Sequence, residues 1–490
     1  MTRLIATWPR RLALALLLFL LAFALATVLA WQAEQAHPDS IPPEHLMTRL
    51  FTLPALLATA FLLLSSAAAM RPAQAAPTPA APLVQTSPEP FVAQVVGIQW
   101  LNPLIRRDYP TEWQLLWTLG IAKPNKRDFQ VQDKPQKFTS VQPIASIVSN
   151  MYQRKSFRSF YLQYMEEMFR PIGRRYAINP KYFYTVQPKS PKKWRELAGI
   201  HVEFAIPATV QLDPAEAAEI VRARITKEFE IGGSPLLSSR ATPPDVRITA
   251  GGASAGFTSL GAALDHLAAH PDETVWAMNW DAPDFPLDEQ MTENCVLLVL
   301  AGPKFDTQRE PLAWVGRPAV RAAEDFELRP GEPRAVQAWR AALAAAATNA
   351  ARPLAEVGYV IHDAGRAGDA AGARLALLGH ALTEPLPELD LMKRSFNTPA
   401  LLGELRAGSA LTNVALAVAY AHHRGTPVLV AGTTEPGIAT ALVVTPPARA
   451  RLIDPDKDWF RARGEGSTYL PWWGLRRDEN WSTYMQGFSE

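Results

Sequence analysis

The sequence predicts a layered α/β body, duplicated along the chain and preceded by two membrane-spanning helices. Three observations carry that expectation. Between Asp245 and Pro283 a β-rich run (Val246–Thr249) ends at Ala250-Gly251-Gly252, an amphipathic stretch follows, and the chain returns as the apolar run Thr274–Met278. The order helix, strand, helix, strand, strand then recurs from Val336 to Val444. Helices that alternate with strands pack as layers on a sheet, so the repeat implies one α/β/α/β/α body. Finally, Leu12–Trp31 and Leu50–Met70 are uncharged apolar runs long enough to span a bilayer.

Taken in order, residues 1–31 hold the first span and 32–49 a short external loop. Residues 50–71 hold the second span, and 72–90 form an Ala/Pro-rich linker with too few large apolar residues to pack. Arg3, Arg10 and Arg11 precede the first span, Arg49 lies between the spans, and Arg71 opens a stretch with many Lys and Arg. The positive-inside rule puts the N-terminus and the main domain in the cytosol, anchored at the inner membrane. An alternative starts at Met47, where an apolar run and an A-x-A site near Ala76 resemble a secretory signal and would place the body in the periplasm.

Residues 91–330 form the first half of the body, 331–450 the second, and 451–490 a polar tail bearing Trp459, Trp472, Trp473 and Trp481. In the first half, Phe91–Leu101 reads as a strand and Tyr109–Gly120 as a helix with a capping-box-like start and a glycine stop. His201–Pro207 is a strand, and Asp213–Phe229 a helix with an Asp N-cap. The central helix carries Phe257, Leu260, Ala263, Leu264 and Leu267 at helical spacing. Cys295–Ala301 and Leu312–Val315 follow as strands. In the second half, helices are expected over Val336–Asn349, Asp369–Leu382 and about Leu401–His422, with strands at Val357–Ile361, Val428–Val430 and Thr440–Val444.

Composition narrows the function. The chain is 48% hydrophobic with a formal charge of +2, which gives no bulk affinity for nucleic acid. Cys295 is the one cysteine, so no intrachain disulfide framework exists, and its apolar run reads as a buried core thiol. Residues 123–195 interleave Lys and Arg with aromatics, which reads as a helical insertion with a basic outer face, or as a protein-docking surface. No zinc-ligand spacing and no phosphate-loop motif occurs, so neither a metal nor a cofactor is expected.

The central stretch touches two kinds of active site. Gly252-Ala253-Ser254-Ala255-Gly256 fits the G-x-S-x-G nucleophile elbow, with Asp369 and His380 or His422 as order-compatible partners for Ser254. That pattern leaves open a serine acyl hydrolase or a divergent acyl-transfer enzyme. The longer run from Ala253 to Leu267 resembles the nucleophile segment of the thiolase and β-ketoacyl synthase superfamily, and His362-Asp-Ala-Gly-Arg-Ala-Gly-Asp369 resembles that family's histidine loop. The resemblance implies a duplicated thiolase-like body over about residues 91–447. Its Cys position falls on Ala253, which cannot form a thiolate, and one of its His positions falls on Glu404. Lys393 stands where its lysine would be, and His362 sits in a shortened loop. Catalytic residues are therefore not expected.

Several phrases, among them WLNPLIRRDYPTEWQLLWTLG and TVWAMNWDAP with ENCVLLVLAGP, resemble the type VI lipase adapter family. The resemblance implies a non-catalytic adapter or chaperone that binds a phospholipase effector and loads it onto the type VI secretion spike protein. Arg174, Arg175, Trp472 and Trp473 are the expected partner contacts, being of the residue types that dominate interfaces.

Overall fold

The structure, a computed structural model, describes residues 90–105, 109–148, 156–178, 201–209, 211–228, 231, 243–284, 286–307, 310–454, 456, 459 and 473, with scattered residues between 15 and 59. Residues 1–87 and 88–490 form separate units. The expected spans, external loop and linker lie largely outside the described residues, among which no helix is long and apolar enough to cross a membrane. The second unit holds the body.

In the first half, β1 (Val92–Leu101) leads through α1 (Thr111–Thr118) and α2 (Phe157–Ile178) to β2 (His201–Pro207). Next come α3 (Pro214–Glu228), β3 (Asp245–Gly251), α4 (Ala255–Ala269), β4 (Thr274–Asp281) and β5 (Asn294–Ala301). These strands lie in the order β3-β2-β4-β5-β1. β2 runs parallel to β3 and β4, and β5 runs antiparallel to β4 and β1.

The second half repeats this plan. β6 (Ala313–Gly316) and β7 (Ala319–Ala322) are followed by α5 (Arg334–Asn349), β8 (Tyr359–His362), α6 (Asp369–Thr383) and β9 (Ser395–Asn397). α7 (Ser409–Arg424), β10 (Val428–Gly432) and β11 (Ile438–Thr445) complete it. The order is β9-β8-β10-β11-β6, with β7 also paired to β11; counting β6 and β7 as one strand, it is again third, second, fourth, fifth, first, and the fifth strand again opposes its neighbours. Antiparallel pairing of β1 with β6 joins the halves into one sheet. This is the duplicated thiolase-like α/β arrangement. By strand order the second half opens at Ala313, ahead of the 330/331 boundary read from the sequence.

Side-chain alternation on the strands builds the layers. On β4, Val275 and Ala277 face a central core while Trp276, Met278 and Trp280 face an outer one. On β10, Val428 and Val430 face the same central core, and Leu429 and Ala431 a third cluster beneath α5 and α6. α4 and α7 therefore sit between two half-sheets, with α2 and α3 outside one and α5 and α6 outside the other. A helix buried on all sides must be apolar all round, and α7 is: Val414 to Ala419 are all fully buried. The two central helices touch closely, since a Cβ on Gly256 would come 2.8 Å from the Ala410 Cβ.

Three sequence expectations are corrected. The long helix over about Leu401–His422 is broken into a short helix (Thr398–Leu402), a 3-10 turn (Arg406–Gly408) and α7. Gly403 at φ 76° and Arg406 at φ 45° are left-handed and cannot continue a helix. Nor is the described helix of the 123–195 segment a surface appendage. This helix, α2, turns Phe160, Tyr161, Tyr164, Met165 and Phe169 into the outer core of the first half, holding the place that α5 holds in the second. Lastly, α1 starts at Pro110 without a side-chain cap, whereas Asp213 does cap α3 through Ala215 N (2.9 Å) and Glu216 N (3.1 Å).

Phe257 is 2% exposed and lies against β10, where a Cβ on Gly432 would come 2.6 Å from its ring. Phe257→Ala is expected to cost about 3–5 kcal/mol in urea unfolding. Gly256→Val should cost about 1–3 kcal/mol by overpacking α4 against α7.

Candidate functional site

β3 ends at Gly251, and the turn Gly252-Ala253-Ser254 aims the first turn of α4 at the seam between the halves. Ser254, at the N-cap position, makes no side-chain bond to its own helix. Its hydroxyl instead donates in a short contact to Oε2 of Glu435, which lies in the β10–β11 turn. Across the seam, β8 ends in His362, and Asp363 follows it. The Asp363 carboxylate accepts from Thr433 N (2.6 Å), Thr433 Oγ1 (2.9 Å), Thr434 Oγ1 (3.1 Å) and Ser409 Oγ (3.5 Å). One buried carboxylate thus ties the end of β8 to the β10–β11 turn and to the start of α7. Burial pushes its pKa up, and the Thr433 and Thr434 donors hold it back.

His362 accepts the Ala364 N–H at Nδ1 (3.3 Å), so the neutral ring carries its proton on Nε2. Burial lowers its pKa to about 4, and the imidazole is uncharged near neutral pH. A cavity of about 300 Å³ opens beside this turn, between α5 and α6, with Trp339, Arg374, Leu377, Thr433, Glu435 and Ile438 on its walls.

The groups weighed for catalysis do not assemble. Ala253 offers no nucleophile, and Ser254 meets a carboxylate where a hydrolase needs an imidazole base. Glu404 is exposed on the loop after Gly403, and Lys393 is exposed and paired with Asp390 (3.2 Å). Asp369 and His380 are exposed on α6. His422 donates from Nδ1 to Leu312 O (2.8 Å), a bond to another segment rather than the helix-end role read from the sequence. Burial lowers its pKa to about 4, and burial pushes the Cys295 thiol up, away from a reactive thiolate. Among the described residues no group of His, Cys, Asp and Glu could hold a metal ion.

The phrases that lacked a chemical role in the sequence prove to be clamps on α7. Trp100 Nε1 donates to Asn294 Oδ1 (2.7 Å), and Asn294 Nδ2 donates to Gly408 O (3.0 Å) and Thr412 Oγ1 (2.7 Å). Asp281 accepts from Arg406 Nη2 (2.6 Å) and Ala407 N (3.1 Å). Burial raises its pKa to about 6 against the pull of Arg406. Asn102 Nδ2 donates to Met291 O (2.9 Å) and Glu293 O (3.0 Å). Glu293 accepts the Tyr164 hydroxyl and the Ile147 N–H (3.0 Å), and burial raises it to about 7.

The expected partner contacts divide. Arg174 and Arg175 lie on the C-terminal part of α2, and Trp472 lies outside the described residues. Trp473 is 1% exposed, packed in the central core and paired with β1, so it is not the free surface side chain that the sequence suggested.

The buried neutral His362 makes the fold acid-sensitive. Its folded pKa near 4 lies below the ordinary 6.5, so its contribution is full above pH 6.5 and is lost as the pH falls toward 4. Wild-type protein should lose about 2–3 kcal/mol more stability than His362→Gln between pH 7 and pH 4.5, read by urea unfolding at each pH.

Comparison with known proteins adds a family. Residues 312–446 match the family model described as type VI lipase adapter protein Tla3, C-terminal. No curated protein matches the chain. Among solved structures, an oxazolomycin ketosynthase domain of Streptomyces albus is similar at 14% identity and TM-score 0.42, covering 75% of this chain and 98% of its own. The ishigamide ketosynthase/chain length factor is similar at 14% identity and TM-score 0.44, covering 74% and 100%. A ketosynthase from module 6 of the Bacillus subtilis bacillaene synthase stands at 11% identity and 0.45, covering 72% and 71%. The strand order above, not these alignments, is the ground for the fold. The matched segment coincides with β6 to β11, so residues 312–446 are similar to the C-terminal region of the type VI lipase adapter family.

Proposed function

We propose that the chain is a non-catalytic adapter that binds a phospholipase effector and loads it onto the type VI secretion spike. The observation that carries the reading is the cleft at α4. Ala253 stands at the nucleophile position of the resembled enzymes, and Ser254 is bonded to the Glu435 carboxylate rather than to an imidazole. A cleft filled by the protein's own carboxylates suits a scaffold better than a turnover site. The family match over residues 312–446 supports the same reading. On this proposal the body sits in the cytosol, tethered to the inner membrane by residues 1–71. Translation from Met47 would instead deliver it to the periplasm, and a reporter fused after Glu490 separates the two.

The serine-hydrolase reading rests on Ser254 alone. A fluorophosphonate probe is expected to leave Ser254 unlabelled, and stoichiometric labelling there would establish the enzyme instead. Binding is tested by capture. The full chain should retain a phospholipase effector through affinity purification, and Arg174→Glu with Arg175→Glu should weaken capture at least about tenfold with an unchanged unfolding midpoint. Capture that is unaffected by both reversals would move the interface away from α2.

A further inference from the structure

The cavity between α5 and α6 combines an apolar lining with two opposite charges, Arg374 and Glu435. Small side chains make the room. Ala335 and Ala338 on α5 and Ala373 on α6 stop short of filling the gap, while Trp339, Leu377 and Ile438 supply apolar surface. The volume of about 300 Å³ is at the small end of ligand sites. All of the lining residues fall within the continuously described stretch 310–454.

Both charges are placed by fixed local structure. On α6, Arg374 Nη1 donates to Ala364 O (3.2 Å). That bond holds one guanidinium nitrogen on the loop after β8 and leaves the rest of the planar fork for a carboxylate. Glu435 opens a Pro-Gly turn, in which Ile438 N donates to Glu435 O (3.2 Å) and Gly437 takes φ 72°. This is type II geometry, and Ala323 N clamps the turn by donating to Gly437 O (2.7 Å). Ser254 engages Oε2 of the Glu435 carboxylate, and Oε1 remains an acceptor. Arg374 and Glu435 line the same space without forming an ion pair with each other.

Charge decides what fits. A lone anion is drawn to Arg374 but repelled by Glu435, and a lone cation meets the reverse. An uncharged apolar molecule strips water from both groups and gives them nothing to bond. A small zwitterion with an apolar body satisfies all three features of the wall. We propose that the cavity binds a free apolar α-amino acid. Its carboxylate lies on Arg374, its ammonium donates to Glu435, and its side chain packs on Trp339, Leu377 and Ile438. The inference does not depend on the adapter reading, since it needs neither a lipase nor an emptied nucleophile position.

Isothermal titration of leucine and of phenylalanine into the full chain tests this. At least one is expected to bind with a Kd between about 10 μM and 1 mM. Three analogues then dissect the wild-type site: the amide of the bound amino acid lacks the carboxylate, the deaminated acid lacks the ammonium, and glycine lacks the apolar body. Each should bind at least about tenfold more weakly than the parent. Arg374→Gln and Glu435→Gln should each weaken the parent at least about tenfold with an unchanged unfolding midpoint. Absence of binding by both amino acids at about 10 mM would overturn the proposal. Equal affinity for the amide or the deaminated acid would overturn the zwitterion, and full affinity in either variant would overturn the placement. Binding of phosphocholine with neither amino acid bound would overturn the ligand class. Because the analogues act on the wild-type chain, the outcome does not depend on a variant folding.

Discussion

Burying α4 and α7 between two half-sheets imposes a demand that most of the remaining structure answers. The apolar flanks of the helices are easily accommodated, but the unpaired N–H groups at their starts and the polar strand ends facing them are cut off from water. Each such group costs about 1–3 kcal/mol if left unpaired. Around the start of α7, Asp281 accepts the Ala407 N–H, Asn294 donates to Gly408 O and Thr412 Oγ1, and Asp363 accepts the Ser409 hydroxyl. For α4, Ser254 is matched by Glu435 from across the seam. The polar residues of the interior are thus spent on holding two helices in register.

That allocation bears directly on chemistry. In a fold of this kind the seam between helix N-termini is where charge can be stabilised, because the backbone there supplies donors at no cost in reorganisation. Here three donors of the seam already have carboxylate partners, Ala407 N on Asp281, Thr433 N on Asp363 and the Ser254 hydroxyl on Glu435, and the groups that would have to move protons are held elsewhere. His362 is kept neutral by burial, and His422 is engaged by a carbonyl. The result is a centre in which the starts of α4 and α7 are tied to side chains of both halves.

The periphery also shows how a pattern can mislead. Basic residues alternating with aromatics over residues 123–195 suggest a surface appendage. Yet Tyr161 gives its hydroxyl to Ala217 O (3.0 Å) and packs on Trp280, and α2 is an integral layer. The Trp-bearing tail suggests exposed anchors, and Trp473 lies in the central core. In both cases residue type was read correctly as contact-forming, but the contact is made within the chain.

The sequence by itself determined what is local. Apolar runs at β4 and β5, the glycine turn before α4, the Asp213 cap and the repeated element order all depend on short-range periodicity, and they sufficed to foresee a duplicated layered body. Ala253 sufficed to remove the acyl-carrying thiol. Strand order, the seam between halves, and the partners of Asp281, Asn294 and Asp363 were decided only by tertiary structure. These pairings join residues at least 46 positions apart, and nothing in the spacing of one segment specifies which distant carboxylate will meet it. The break at Gly403 and Arg406 belongs with them, since apolar spacing continues through Leu401 to Ala410 while the backbone, held by Asp281, turns.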